Sequence, residues 1–141
     1  MQGIYDLVKI HVGRLPKGSD LYNGLLEVIK AKGIGTGIVY GIGALKKAVV
    51  AYYDQMAKEY RQISINQPVE VLSLMGNISF KDKKAFLHAH ITVSDEEKAW
   101  GGHLLEGSEV FAFEYQILEL QGQVLERKYD EETGLFLWPN K

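Results

Sequence analysis

Apolar and polar residues alternate at two-residue spacing over most of the chain, with one stretch of helical spacing near the N-terminus. Residues 4–12, IYDLVKIHV, read as a strand. GRLPKGS then breaks it with Pro16 and Gly18. Ser19 or Asp20 caps a helix predicted to run to about residue 32, with Leu21, Leu25, Val28 and Ile29 on one side and Leu26 near its edge. Gly33 ends the helix, in the role glycine takes after a last helical turn. Later strands are predicted at 60–65, 69–80, 86–93 and 110–120, and a last short one at LFLW. KDKK and DEETG are turns, and Gly76 with Asn77 is expected to bulge or kink the 69–80 strand. One helix followed by short, closely spaced strands predicts an α+β fold with a mainly antiparallel sheet, as one domain over residues 1–141.

The segment GIGTGIVYGIGALKKAVVAYY invites a phosphate-loop reading that its spacing does not support. Gly35 and Gly37 begin a G-x-G-x-x-G, but residue 40 is Tyr, and no Gly-Lys-Ser/Thr is present. The glycines fit a β-segment with bulges or tight backbone contacts. AVVAYY, rich in β-formers, reads as strand, with helix as the alternative.

Composition narrows the functional classes. The chain has 141 residues, 46% of them hydrophobic and 24% charged, which is typical of a soluble globular protein. No run of about 20 apolar residues would span a membrane, and no secretory h-region opens the sequence. There is no cysteine, which removes disulfides, thiolate metal sites and a cysteine nucleophile. A cytoplasmic location is expected. Net charge is −2, whereas a protein binding DNA by itself through phosphates is normally basic. Lys46 and Lys47, then Lys81, Lys83 and Lys84, then Arg127 and Lys128 read as solvated surface clusters.

The sharpest chemistry lies in FLHAHITVSDEEKAWGGHLLEG. Residues two apart on a strand face the same way, so His88 and His90 project together. His103 can return beside them through the turn SDEEKAWGG, and Gly101 and Gly102 let the backbone come close. Three neutral imidazoles suit zinc and leave a fourth tetrahedral position open. The pair could equally be a hydrogen-bonded surface or interface pair. His11, in another strand, reads as structural. Glu106, Glu109 and Glu114 are the nearby acids for zinc-assisted hydrolysis or hydration, though sequence does not position them. A second cupin histidine motif and a G-x-S-x-G elbow are both missing.

The ordered set PVEVLSLMGNIS, FLHAHITVSD, GGHLLEG and EVFAFEYQILEL, with GRLPKGSDL and GIGAL upstream, resembles the plants-and-prokaryotes-conserved (PPC) domain from about Lys9 to Leu137. The resemblance implies a mostly antiparallel sheet with few helices, assembled as a homotrimer. It implies a metal site, with zinc as the expected ion, on His88, His90 and His103. It also picks out Arg14, Gly18, Asp20, Glu70, Gly76 and Asn77, of which Arg14, Glu70 and Asn77 are candidate neighbours of a ligand site. Arg14 and Asp20 have a structural alternative as an ion pair at the helix start. Plant members reach DNA through a separate Arg-Gly-Arg-Pro hook that enters the minor groove. VGRLPKG does not match it, so contact with DNA is expected through partner proteins.

Two functions remain open. One is an oligomeric, DNA-associated or regulatory module with a metal site; the other is a small zinc-dependent enzyme using metal-bound water. A sheet with one helix leaves a face to be covered, and Tyr52, Tyr53, Phe80, Phe86, Phe111, Phe113 and Tyr115 are the aromatics expected to serve oligomer contacts.

Overall fold

The computed structural model describes residues 3–140; Met1, Gln2 and Lys141, the ends of the expected domain, lie outside the described residues. In chain order the elements are β1 (Asp6–Leu15), α1 (Leu21–Lys32), β2 (Gly37–Asp54), β3 (Glu59–Ile65), β4 (Val69–Lys81), β5 (Lys84–Ser94), β6 (Ala99–Leu104), β7 (Glu109–Gln121), β8 (Glu126–Asp130) and β9 (Leu135–Leu137). This is the expected architecture, a mainly antiparallel sheet with one helix. No helix among the described residues is long and apolar enough to cross a membrane.

Local chemistry sets the helix ends as expected. The Asp20 carboxylate accepts from the Asn23 backbone N–H at 2.9 Å, and Gly33 closes the helix in the left-handed region at φ 67°. Leu21, Leu25 and Ile29 are fully buried against the inner face of the sheet, where Val39, Leu45, Leu74, Leu87, Ile91, Phe113 and Ile117 meet them. The other Asp20 oxygen accepts from the Gly107 N–H, so this carboxylate ties the helix start to the β6–β7 loop. The expected Arg14–Asp20 ion pair is therefore replaced by backbone capping, and Arg14 stands opposite Glu114 across β1 and β7.

Everything is organised around β2, an 18-residue strand. Its first half pairs with β7 on one side and β4 on the other; its second half pairs with β3 and β6. Because β6 pairs with β5 and β5 with β4, the pairings β2–β6–β5–β4–β2 close on themselves. The exchange of partners needs irregular backbone. Register shifts fall between Gly41 and Gly43 toward β4, and at Ala44–Leu45 and Leu45–Lys47 toward β7. At Gly43 a Cβ would stand 2.1 Å from the Ala112 carbonyl oxygen and 2.8 Å from Phe113 Cα. From Gly37 onward the glycine-rich segment is strand, as its bulge reading expects.

Three expectations change. The β4–β5 bulge lies between Val71 and Ser73, whereas Gly76 and Asn77 pair regularly with Ala89 and His88. Gly76 instead admits the neighbouring chain, since a Cβ there would lie 2.6 Å from the His88 carbonyl oxygen. The GG of the expected turn belongs to β6, a strand hidden in the sequence by two β-unfavourable glycines. β1 runs on to Leu15, and β8, ERKYD, has no apolar alternation to announce it.

Gly43→Ala is expected to destabilise the fold by about 2–3 kcal/mol, because backbone atoms cannot yield to the added methyl. Urea denaturation of the two proteins measures this.

Candidate metal centre

His88 and His90 stand on β5, alternating with buried Leu87, Ala89 and Ile91, and so project from the outer face of the sheet. His103 on β6 is the direct cross-strand partner of His90. Its strand reaches this position because Gly102 lets β6 lie close to β2, where a Cβ would meet the Ala51 carbonyl oxygen at 2.7 Å.

The three rings converge. Their centroids are separated by 5.0, 5.1 and 5.7 Å, and one nitrogen from each lies within 4.8 Å of the others. His88 Nε2 and His90 Nε2 are 3.2 Å apart and share a hydrogen bond. An ion with bonds of about 2 Å holds tetrahedral ligands about 3.3 Å apart, so ring shifts of about 1 Å would close the set on one ion. His103 Nδ1 is buried without a hydrogen-bond partner. An orphaned buried nitrogen in an all-imidazole cluster fits a metal of zinc type.

Electrostatics favour neutral rings, the form in which imidazole binds metal. Burial, reinforced by the charges of His103, Arg127 and His90, pushes His88 down to about 4. Burial with His90 and Arg127 does the same to His103, also to about 4.

Arg127 is the part of the centre that sequence reasoning missed. Its reading as part of a surface cluster is overturned, since it is only 7% exposed. Its guanidinium donates to Asn77 Oδ1 at 2.7 Å, Ser79 Oγ at 3.1 Å and the Phe136 carbonyl at 3.0 Å, and it lies 5.3 Å from the ring centroids of Phe86 and Trp138. It comes from β8, which sits beside β4 in parallel register at Phe80–Glu126 and Lys81–Arg127. Tyr60 from β3 covers His103 at a centroid distance of 5.0 Å and rests on Tyr53, whose hydroxyl donates to the Thr133 carbonyl at 2.6 Å. The ERKYD stretch offered no signal for this role beyond the charge itself.

The other sequence-derived candidates separate. Asn77 pairs with His88 in register and holds Arg127, so it adjoins the centre. Glu70 pairs with Ser94 toward the opposite end of β4, where it lines a broad cleft with Lys46, Asp95 and Phe111. Arg14 is on β1, separated from β6 by β7 and β2 in the order of the sheet. Glu106 shares a cavity with His103, whereas Glu109 pairs with Lys46 at 3.0 Å and Glu114 lies on β7. His11 is structural in the expected sense, bonded to Glu119 at 2.8 Å.

Known proteins share this chain's pattern and fold. A family model described as the Plants and Prokaryotes Conserved (PCC) domain matches residues 4–121. A metal-containing protein of Archaeoglobus fulgidus is 41% identical, with a TM-score of 0.95 and 99% of both chains covered. A plant- and prokaryote-conserved protein of Pyrococcus horikoshii is 38% identical, with a TM-score of 0.94, covering 100% of this chain and 98% of its own. A Bacteroides thetaiotaomicron protein, provisionally described as DNA-binding, is 26% identical at a TM-score of 0.86, with 97% and 96% covered. No curated protein matches the chain.

The two depressed histidines set a pH dependence for the metal-free protein. Unfolding returns them toward 6.5, so between about 6.5 and 4 the unfolded chain binds more protons. Their contribution to stability is complete above that window and is lost as pH falls through it. Denaturation midpoints measured from pH 7 to pH 4 are expected to fall, and His103→Asn is expected to flatten the slope.

Proposed function

Because the chain belongs to the Plants and Prokaryotes Conserved (PCC) domain family, we propose that it is an oligomeric regulatory module built around a zinc centre on His88, His90 and His103. The convergence of three imidazoles from two adjacent strands carries this reading. The metal content of the Archaeoglobus fulgidus relative supports it. Zinc is the ion that three neutral nitrogen donors suit, with one position left for an exogenous group. When bound, the ion supplies Lewis acidity and a fixed double charge. The chain supplies orientation: β5 and β6 aim the rings, Tyr60 covers His103, and Asn77 with Arg127 backs the strand beside His88.

The outer face of the sheet is assigned to contacts between copies of this chain, as a homotrimer. Ile10, Val12, Tyr40, Ile42 and Met75 are 55%, 72%, 41%, 57% and 59% exposed. Cross-strand pairing lines up Val12, Gln116, Tyr40 and Met75 in a row that runs into His90 and His103. So large an apolar surface on a small chain calls for a partner. This set differs from the aromatics expected for the role, of which Phe113 and Tyr115 are core residues. The centre then borders the contact surface, which lets metal state and assembly influence one another. With a net charge of −2, association with DNA runs through partner proteins. A second reading, a small zinc enzyme, draws on one observation: Glu106 shares a cavity with His103 and is the acid placed to serve as a base.

Elemental analysis of tag-free protein is expected to find about one zinc per chain, lost in His88→Ala. Protein that stays metal-free after exposure to zinc overturns the reading. Sedimentation equilibrium is expected to give three chains per particle, and Met75→Glu to lower that number. In a gel shift at physiological salt, the isolated protein is expected not to retain AT-rich duplex.

A further inference from the structure

The cavity beside His103 has a volume of about 400 Å³ and is walled by Tyr22, Gln62, Phe86, His103 and Glu106. That volume is in the range of small-ligand sites. Tyr22 and Phe86 provide ring surfaces, and the Tyr22 hydroxyl is engaged with the Leu87 carbonyl at 3.3 Å, which fixes that wall.

The charge around this cavity is unbalanced. An ion on three neutral imidazoles keeps its double charge. Arg127, 5.3 Å from the Phe86 ring centroid, adds a buried cation whose three hydrogen bonds all go to neutral acceptors. None of the ion pairs among the described residues includes it. Buried charge without a counterion is costly. Glu106 is not seen to supply the counterion: its charge acts on Tyr22, and the Tyr60 phenol near Arg127, held protonated by burial, is neutral at physiological pH. Positive charge on the imidazole side and one carboxylate on another wall ask for a ligand with an anionic head and a hydrogen-bond donor at its far end.

We propose that this cavity binds a small free carboxylate, whose head takes the coordination position left by His88, His90 and His103 and whose body lies against Tyr22 and Phe86, with a distal donor meeting Glu106. The assignment rests on the three-histidine metal reading. Arg127 acts as a positioning residue, through its charge and its grip on Asn77. The same chemistry could come from a carboxylate side chain of a second copy, and the test separates the two.

The experiment loads the metal-free protein with Co2+, whose visible spectrum reports its ligands, and titrates it by calorimetry with 4-hydroxybenzoate, benzoate and 4-hydroxybenzamide. 4-Hydroxybenzoate is expected to bind and shift the spectrum, and the neutral amide to bind at least ~10-fold more weakly, about 1.4 kcal/mol. Glu106→Gln, at an exposed position, is expected to abolish the preference for 4-hydroxybenzoate over benzoate while leaving cobalt binding intact. Arg127→Met is expected to weaken carboxylate binding by ~10-fold or more, and Arg127→Lys to restore most of it. Failure to bind cobalt overturns the metal reading itself. Cobalt bound at one per chain, with no heat and no spectral change on adding 4-hydroxybenzoate, overturns this proposal and leaves the metal reading standing. So does a carboxylate-ligand spectrum present without additive that disappears when Met75→Glu separates the chains.

Discussion

The close backbone approach along β2 is the constraint on which the rest depends. One strand serves β7, β4, β3 and β6 in turn, which requires it to shift register where partners change. Gly41 and Gly43 sit where neighbouring atoms leave no space for a side chain: a Cβ on Gly41 would stand 2.3 Å from the Phe113 ring. That close approach goes with the register shifts of β2, whose later residues Val50 and Ala51 pair with Leu104 and His103 on β6. The histidines themselves meet through the β5–β6 hairpin, whose register makes direct neighbours of His90 and His103, and β2 seats that hairpin in the sheet.

Around the histidines the protein surrounds neutral nitrogens with rings, amides and a guanidinium. No carboxylate joins the three-histidine cluster among the described residues. Hydrogen bonds to the Arg127 fork tie together β4 and the β8–β9 hairpin, while Tyr53 and Tyr60 tie that hairpin's turn to His103. Rings held in this way lose little freedom when they close on an ion, which is how supporting contacts raise the affinity of a metal site.

Much of this was legible in the sequence, and the failures have physical causes. Alternation along 69–80, 86–93 and 110–120 reported which residues face the core, because period two is a direct image of the pleat. The cap at Asp20 and the stop at Gly33 were equally local and equally legible. His88 and His90 emerged from strand geometry. β6 did not, since glycine leaves no pattern of side chains to read, and its membership is decided by the neighbours that pack into the space. Arg127 did not either: in ERKYD it looks like any surface cation, and only the arrival of Asn77, Ser79 and Phe136 from elsewhere buries it. The bulge falls elsewhere for the same reason, because Gly76 serves a close crossing of strands rather than a break in register.

The hairpin that delivers Arg127 begins after residue 121, where the family match ends, although the archaeal relatives cover essentially the whole chain. Residues up to that limit contain every strand pairing that gathers the histidines. The hairpin itself contributes a cation, an acceptor for Tyr53 and an aromatic lining, but no ligand. Gathering and support therefore occupy separate lengths of the polypeptide: substitutions in the tail would alter the charge and packing around the imidazoles without disturbing the scaffold that assembles them.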